Sequence, residues 1–391
     1  MDNHANPLAR FSHFLHRNFI WFLLSSYVVA AVAPQAGLAI KKVKLGHLAL
    51  FGEPIHVSLP MLLLALLLLN AGLGVQTAQL RHLLRRPWSL LSGLAANLFV
   101  PIAYIFAVSQ TMRLWHNPDE VQNILVGLAL VASMPIAGSS TAWSQNANGD
   151  LSLSLGLVLG STLISPLTTP IGFDLVEHMA EGEYAQILEG LETQGGGSFL
   201  AICVILPSLL GIGGRAALGE VRTAAAKPTL KLLNSLNLLV LNYSNASVSL
   251  PQAVANPDWD FLAVILVIVV GMCLLAFLAG WFLSRLFRVG PPQRISLMFG
   301  LGMNNNGTGL VLATMALPQY PLVVLPIIFY NLVQHLVAGS VDFLMFRRVP
   351  NGAATVRERP SQPLPHGRGS DNGSDASITT APPARDHRIT G

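Results

Sequence analysis

Gly300-Leu301-Gly302-Met303-Asn304-Asn305-Asn306-Gly307-Thr308-Gly309 interrupts one long apolar stretch, and Pro135-Ile136-Ala137-Gly138-Ser139-Ser140-Thr141-Ala142-Trp143-Ser144-Gln145-Asn146 interrupts another. Unpaired backbone groups in hydrocarbon cost several kcal/mol each, so irregular peptide survives at membrane depth only where protein buries it or it lines a cavity. Two interruptions in corresponding halves of a polytopic chain point to a transporter binding site.

Composition places the surrounding chain in a membrane. Of the 391 residues, 52% are apolar and 11% charged, against about a quarter charged in soluble proteins. The mean hydropathy is +0.54. The apolar stretches suit helices crossing a core about 30 Å thick. Barrel strands would be shorter and alternating. The expected fold class is therefore all-α integral membrane, with ten spans at 19–39, 56–75, 88–109, 121–147, 151–173, 197–217, 229–250, 260–286, 294–317 and 319–345. An even number of spans puts both ends on one side. That side carries 19 of the Lys and Arg residues against 4 on the other, and the positive-inside rule makes it cytoplasmic. A bacterial inner membrane location, with both termini cytoplasmic, is the expectation.

The net charge of +4 follows from these basic flanks and implies no nucleic-acid partner. Cys203 and Cys273 fall inside predicted spans and read as packing residues. The N-terminal apolar run is long enough to span and reads as a retained first helix. Residues 346–391, rich in Pro, Gly, Ser, Asp and Arg, read as a disordered cytoplasmic tail, leaving 1–345 as the transmembrane domain. The stretch holding Glu177, Glu181, Glu183, Glu189 and Glu192 reads either as an acidic amphipathic helix on the outer surface or as a vestibule collecting cations.

A helix interrupted in the membrane presents free N–H groups at one broken end and free carbonyls at the other. One end suits an anion and the other a cation. Ser139, Ser140, Thr141, Ser144, Asn146, Asn304, Asn305, Asn306 and Thr308 add hydroxyl and amide groups to such a site. Small polar residues also serve as packing glue between membrane helices, but three consecutive asparagines flanked by glycine would be costly filler. Asn234, Asn237, Asn242 and Asn245 share one face of the seventh span. That face either lines the cavity or holds helices together, and Asn242 and Asn245 are carried as substrate-binding candidates with Ser139, Asn306 and Thr308. His335 is the titratable group well inside span ten, with a structural hydrogen bond or a proton-coupling role as its two readings. No nucleophile elbow or His-Glu-x-x-His motif is present, and the chain does not read as an enzyme.

Asn70-Ala71-Gly72-Leu73-Gly74, Arg85-Arg86-Pro87, Pro101, the break from Pro135 to Asp150, Ser161-Thr162-Leu163-Ile164-Ser165-Pro166-Leu167-Thr168-Thr169-Pro170 and Gly302-Met303-Asn304-Asn305-Asn306-Gly307 together resemble the bile acid:sodium symporter family. The resemblance covers about residues 15–345. It implies two inverted five-helix repeats, with discontinuous helices 4 and 9 crossing. It also implies a panel of helices 1, 2, 6 and 7 against a core of helices 3–5 and 8–10. Carried over by position, it makes Ser140, Thr141 and Ser154 one sodium site and Leu301, Met303 and Asn304 a second, with Gly138 and Asn305 facing substrate.

The chain departs from the family pattern where a glutamate usually bridges both sodium sites, because Gly300 stands there. Thr141 replaces an asparagine, Ile136-Ala137 replaces a glycine pair, and the glutamine of helix three falls at Ala96 or Asn97. A sodium ion held by neutral oxygens alone lacks a compensating charge in a low-dielectric site. The expected function is alternating-access transport of a small organic anion or metabolite across the lipid bilayer, with Na+ coupling weakened or lost. An uncoupled or proton-linked carrier of auxin-efflux type, and a membrane receptor or sensor, are the alternatives. No obligate protein partner is inferred.

Overall fold

The computed structural model describes residues 11, 14–15, 18–50, 53–75 and 87–346. The basic loop through Arg85 and Arg86, and the tail from 347 on, lie outside the described residues. The first helix, α1 (Phe19–Val32), stops short of its expected end because Pro34 follows. The residue before a proline avoids helical dihedrals, and Ala33 has φ −136° and ψ 66°. The chain turns through 91° into α2 (Gln35–Lys42), so the region expected as span 19–39 is a helix and a bent extension ending in Lys41 and Lys42.

An antiparallel hairpin follows, β1 (Lys44–Leu50) against β2 (Glu53–Ser58), in register from Lys44↔Ser58 to Leu50↔Glu53. Gly46, at φ 138°, sits at a register shift where other residues would be strained. This hairpin departs from the all-α expectation and delays the helix expected from residue 56, the shorter apolar α3 (Leu59–Gly74), to residue 59.

The remaining helices are α4 (Pro87–Thr111), α5 (Pro118–Ala132), α6 (Ser139–Asn146), α7 (Leu151–Glu177), α8 (Glu183–Gly190), α9 (Gly196–Leu200), α10 (Leu206–Ala246), α11 (Leu250–Ala255), α12 (Trp259–Leu286), α13 (Pro291–Gly302), α14 (Asn306–Ala316) and α15 (Val324–Val341). Among the described residues, five segments are long and apolar enough to cross a membrane: Pro87–Leu114, Leu151–Glu177, Gly197–Ala226, Trp259–Leu286 and Pro321–Met345. A sixth is added if α1 and α2 form one bent span. The expected spans 121–147 and 294–317 are each two shorter helices, α5 with α6 and α13 with α14. Predicted spans six and seven run together through α10, whose helical path is broken at Gly219 (φ 76°, ψ 170°).

The core lies around α5, where every residue from Glu120 to Ala132 is buried. A helix apolar all round in its second half, walled by α4, α7 and α15, is what a bundle centre requires. Asn117 starts it by accepting from the Asp119 N–H, and Glu120 accepts from Trp115 Nε1 at 2.6 Å and Asn117 Nδ2 at 2.7 Å. Of the acidic stretch, Glu183 and Glu189 lie on the short α8, whose Tyr184 and Leu188 are buried. Carboxylates of Asp174, Glu177 and Glu192 gather beside it within 4.8 Å of one another.

The α3 helix runs along α10, and glycines set the approach. A side chain at Gly211 would overlap the Leu69 carbonyl and come within 2.9 Å of Gly72 Cα. Two asparagines close the same seam: Asn70 Nδ2 donates to Leu230 O at 2.9 Å, and Asn237 Nδ2 to Leu63 O at 2.7 Å. Gly211→Ala should cost about 1–3 kcal/mol through overpacking and lower the thermal midpoint in detergent. Gly213→Ala, which meets nothing within 4 Å, should leave the midpoint unchanged or raise it.

Candidate functional site

The two interruptions meet. The first break starts where α5 ends at Ala132, and Pro135, with no N–H, cannot continue a helical ladder. The freed groups find partners on α7: Thr169 Oγ1 donates to Ser133 O, and Ile136 N–H donates to Ser161 Oγ at 3.0 Å. In the second break α13 ends at Gly302, and Met303 is extended, with φ −132° and ψ 108°. Asn305 restarts the chain as the N-cap of α14, its Oδ1 accepting from Thr308 N–H at 3.3 Å.

The breaks then satisfy each other's main chain. Ala137 N–H donates to Met303 O at 2.9 Å, and Asn305 N–H donates to Pro135 O at 2.8 Å. This is an antiparallel bridge between Ile136 and Asn304, the smallest unit of sheet, set between four helix ends. Close approach is required: a Cβ on Gly302 would strike the Phe277 ring. Phe277 meets Phe299 edge to face, and Phe299 stacks on Trp143 of α6 with centroids 6.0 Å apart.

Around this bridge the side chains divide by burial. Ser140, Ser154, Leu301, Met303, Asn304, Asn306 and Thr308 are buried. Ser139, Thr141 and Asn305 are half-buried, and Gly138 is exposed. Ser154 Oγ donates to Thr141 Oγ1 at 3.1 Å, which joins two of the three residues of the first expected sodium set. In the second set, Met303 O already accepts from Ala137, while Leu301 belongs to an apolar cluster with Ile136, Leu153, Leu157, Val289 and Leu297. Asn304 is fixed by Nδ2 donating to Val131 O at 3.0 Å and by its N–H donating to Gln334 Oε1 at 3.0 Å.

Five buried polar atoms in the two breaks have no hydrogen-bond partner: Ser140 Oγ, Asn304 Oδ1, both amide atoms of Asn306, and Thr308 Oγ1. Leaving a buried donor or acceptor unsatisfied costs about 1–3 kcal/mol. Of the eleven such atoms among the described residues, five gather at this one crossing, which marks it as the candidate site. Neither run carries a charged residue, so whatever binds meets neutral oxygens, amides and helix ends.

The position given by resemblance to a carboxylate is filled differently. Gly300 is buried, and a Cβ built on it would lie 2.9 Å from Leu157 Cδ1. Leu157 is itself fully buried in the small apolar cluster, so hydrocarbon occupies the space beside the missing carboxylate. Of the two positions for the helix-three glutamine, Asn97 is buried with an unpartnered Oδ1. It lines a small cavity with Ser133, Pro135, Ser161 and Thr168.

The two substrate-binding candidates of the seventh span, Asn242 and Asn245, are both tied to other helices. Asn242 Oδ1 accepts from Asn331 Nδ2 at 3.1 Å, and Asn245 Oδ1 accepts from Thr314 Oγ1 at 3.3 Å. Asn245 Nδ2 stays unpartnered. His335 is half-buried, and its neighbour Gln334 is the residue of span ten that reaches the crossing. Sequence reasoning missed Asn331, whose signal is its i,i+3 spacing from Gln334 on one helix face.

A family model described as the Sodium Bile acid symporter family matches residues 61–256, which include the first break. The chain is similar to the "Uncharacterized protein YbaS" of Bacillus subtilis (strain 168), 26% identical over 277 residues, covering 71% of this chain and 85% of that protein. It is also similar to the "Uncharacterized sodium-dependent transporter YocS" of the same organism, 25% identical over 280 residues, covering 71% of this chain and 79% of that protein.

The unpartnered hydroxyl of Thr308 separates binding from folding. Thr308→Val removes a buried unsatisfied group while keeping shape, and should raise the ligand-free thermal midpoint by the equivalent of about 1 kcal/mol. A fall in the midpoint would show that this hydroxyl already has a partner in the folded protein.

Proposed function

The chain belongs to the sodium bile acid symporter family and is a secondary transporter; from that premise we propose that it carries a small organic anion or similar metabolite by alternating access, with sodium bound weakly by neutral oxygens. The observation that carries the reading is the cluster of unpartnered buried polar atoms where the two interrupted helices cross. Cargo binds beside Gly138, Ser139 and Asn305, the less buried residues of the crossing, where the N-terminal ends of α6 and α14 favour negative charge. Asn306, Thr308, Asn242 and Asn245 complete the substrate-binding set.

Sodium is held by Ser140, Thr141 and Ser154 at one position and by Leu301, Met303 and Asn304 at the other. Ten membrane helices form two inverted five-helix repeats, and the core of helices 3–5 and 8–10 shifts against the panel of helices 1, 2, 6 and 7. The protein sits in the inner membrane with both termini cytoplasmic. A gradient drives the cycle through differential binding to its two states.

Leu157 favours a second reading. Packed where the family resemblance puts a carboxylate, it leaves any cation without a full countercharge, and an uncoupled or proton-linked carrier follows if neutral oxygens do not suffice.

Thermal unfolding in sodium, potassium and choline chloride at equal ionic strength distinguishes the two. A ligand that binds only the folded state stabilises it by RT ln(1 + [L]/Kd), about 0.4 kcal/mol at [L] = Kd and about 2.7 kcal/mol at 100 Kd. The wild-type protein should show a small sodium-selective rise at a few hundred millimolar salt. Gly300→Glu combined with Leu157→Ala, which supplies the carboxylate and the space for it, should produce that rise at much lower sodium. Equal midpoints in all three salts for the wild-type protein would favour the uncoupled or proton-linked carrier.

A further inference from the structure

A buried chain of side chains connects the second break to two other helices. Asn304 N–H, which has no helical acceptor in the extended break, donates to Gln334 Oε1 at 3.0 Å. Gln334 Nε2 donates to Asn331 Oδ1 at 3.3 Å. Asn331 Nδ2 donates both to Tyr27 Oη on α1 at 2.8 Å and to Asn242 Oδ1 on α10 at 3.1 Å. All four side chains are more than nine-tenths buried, at 7% exposure for Tyr27 and Asn331, 2% for Gln334 and 1% for Asn242.

The chain has a direction. An amide side chain offers an oxygen on one side and hydrogens on the other, so its orientation is set by whichever neighbour has a fixed role. The Asn304 backbone N–H can only donate, which requires the oxygen of Gln334 to face it. Gln334 then presents hydrogens to Asn331, and Asn331 must turn its oxygen inward and its hydrogens toward α1 and α10. Read the other way, Asn242, whose Nδ2 donates to Leu238 O at 2.9 Å, presents its Oδ1 as a fixed acceptor, and with the Tyr27 hydroxyl taking the second hydrogen it holds Asn331 in the orientation that lets Gln334 accept from Asn304. Take both outer partners away and the Asn331 Nδ2 hydrogens are buried without acceptors, so Asn331 is held through Gln334 alone and is drawn out of its orientation. A Gln334 that loses the Asn331 oxygen can then turn its own hydrogens toward the Asn304 N–H. Two donors then face each other in a low-dielectric interior, where a mismatched polar contact is costly.

We propose that Asn331 and Gln334 are positioning residues for transport, an amide relay through which separation of α1 and α10 from α15 unlocks the second break. The proposal rests on the transporter reading for its purpose, because α1 and α10 then belong to the panel while α15 and the break belong to the core. Its geometry does not depend on the cargo or the ion. Asn331 and Gln334 touch neither; they act through the Asn304 backbone, and so link the position of one domain to the shape of the crossing in the other.

Hydrogen–deuterium exchange of the purified full-length protein in detergent, read on peptides covering residues 300–309, tests the relay. Tyr27→Phe with Asn242→Leu removes both outer acceptors without touching the break, and should accelerate exchange there about tenfold. Gln334→Met should do the same. Gln334→Glu, whose protonated carboxyl accepts from Asn304 N–H and donates to Asn331 Oδ1, should keep exchange near the wild-type rate. Should the double variant fail to fold, Tyr27→Phe alone is expected to give about a threefold acceleration in the same peptides. Loosening confined to α1 and α10, with residues 300–309 exchanging as in the wild-type protein, overturns the relay and leaves these bonds as packing contacts. So does Gln334→Glu behaving like Gln334→Met. The readout needs neither sodium nor cargo, so a negative result leaves the transporter reading intact.

Discussion

Two main-chain hydrogen bonds, Ala137 N–H to Met303 O and Asn305 N–H to Pro135 O, hold the rest of the arrangement in place. An interrupted helix leaves carbonyls and N–H groups without partners, and in the middle of a bilayer water does not supply them. Each break here uses the other as its partner. The solution demands that both breaks occur, that they lie at one depth, and that their backbones come close, which is why Gly302 packs against the Phe277 ring with no room for a side chain. Neither interruption would be tolerable alone.

The side chains at the crossing do the opposite of what stability asks. The two breaks share main-chain hydrogen bonds, but Ser140, Asn304, Asn306 and Thr308 bring buried side-chain polar atoms without a partner among the described residues. With each such atom worth about 1–3 kcal/mol, a sequence selected for folding alone would have placed alanine, valine or leucine there. Elsewhere in the bundle, the half-buried Asn70 and the buried Asn331 reach defined partners on neighbouring helices. Those asparagines hold helices together, whereas the unpartnered atoms of the crossing are the ones the transporter reading assigns to a ligand. Gly300, where the family resemblance puts a carboxylate, has Leu157 packed against it, so the crossing offers neutral dipoles and no full charge there.

Much of this was legible in the sequence because membrane depth makes polarity conspicuous. Runs of glycine, serine and asparagine inside apolar stretches located both breaks, and proline at 135 marked the end of α5. Other features lacked a local signal. The hairpin Lys44–Leu50 with Glu53–Ser58 is short, and its apolar residues merge with the following helix, so composition alone absorbed part of it into span 56–75. The 91° bend after α1 follows from Pro34, but an apolar window averages over it. The asparagines of the seventh span could not be assigned from one helix face, because the partners that give Asn242 and Asn237 their roles are 89 and 174 residues away in the chain. Leu157 is ordinary as a residue. Its meaning comes from what it touches.

The most direct test of the account is which side of the membrane can reach the crossing. Gly138 is exposed there and has open space where a side chain would go, while the native Cys203 and Cys273 are buried. Gly138→Cys should therefore report the site alone. In sealed vesicles of each orientation, a membrane-impermeant maleimide should label this position from both faces, at different rates, because alternating access opens one site to the two sides in turn. Labelling from a single face under all conditions would contradict the account.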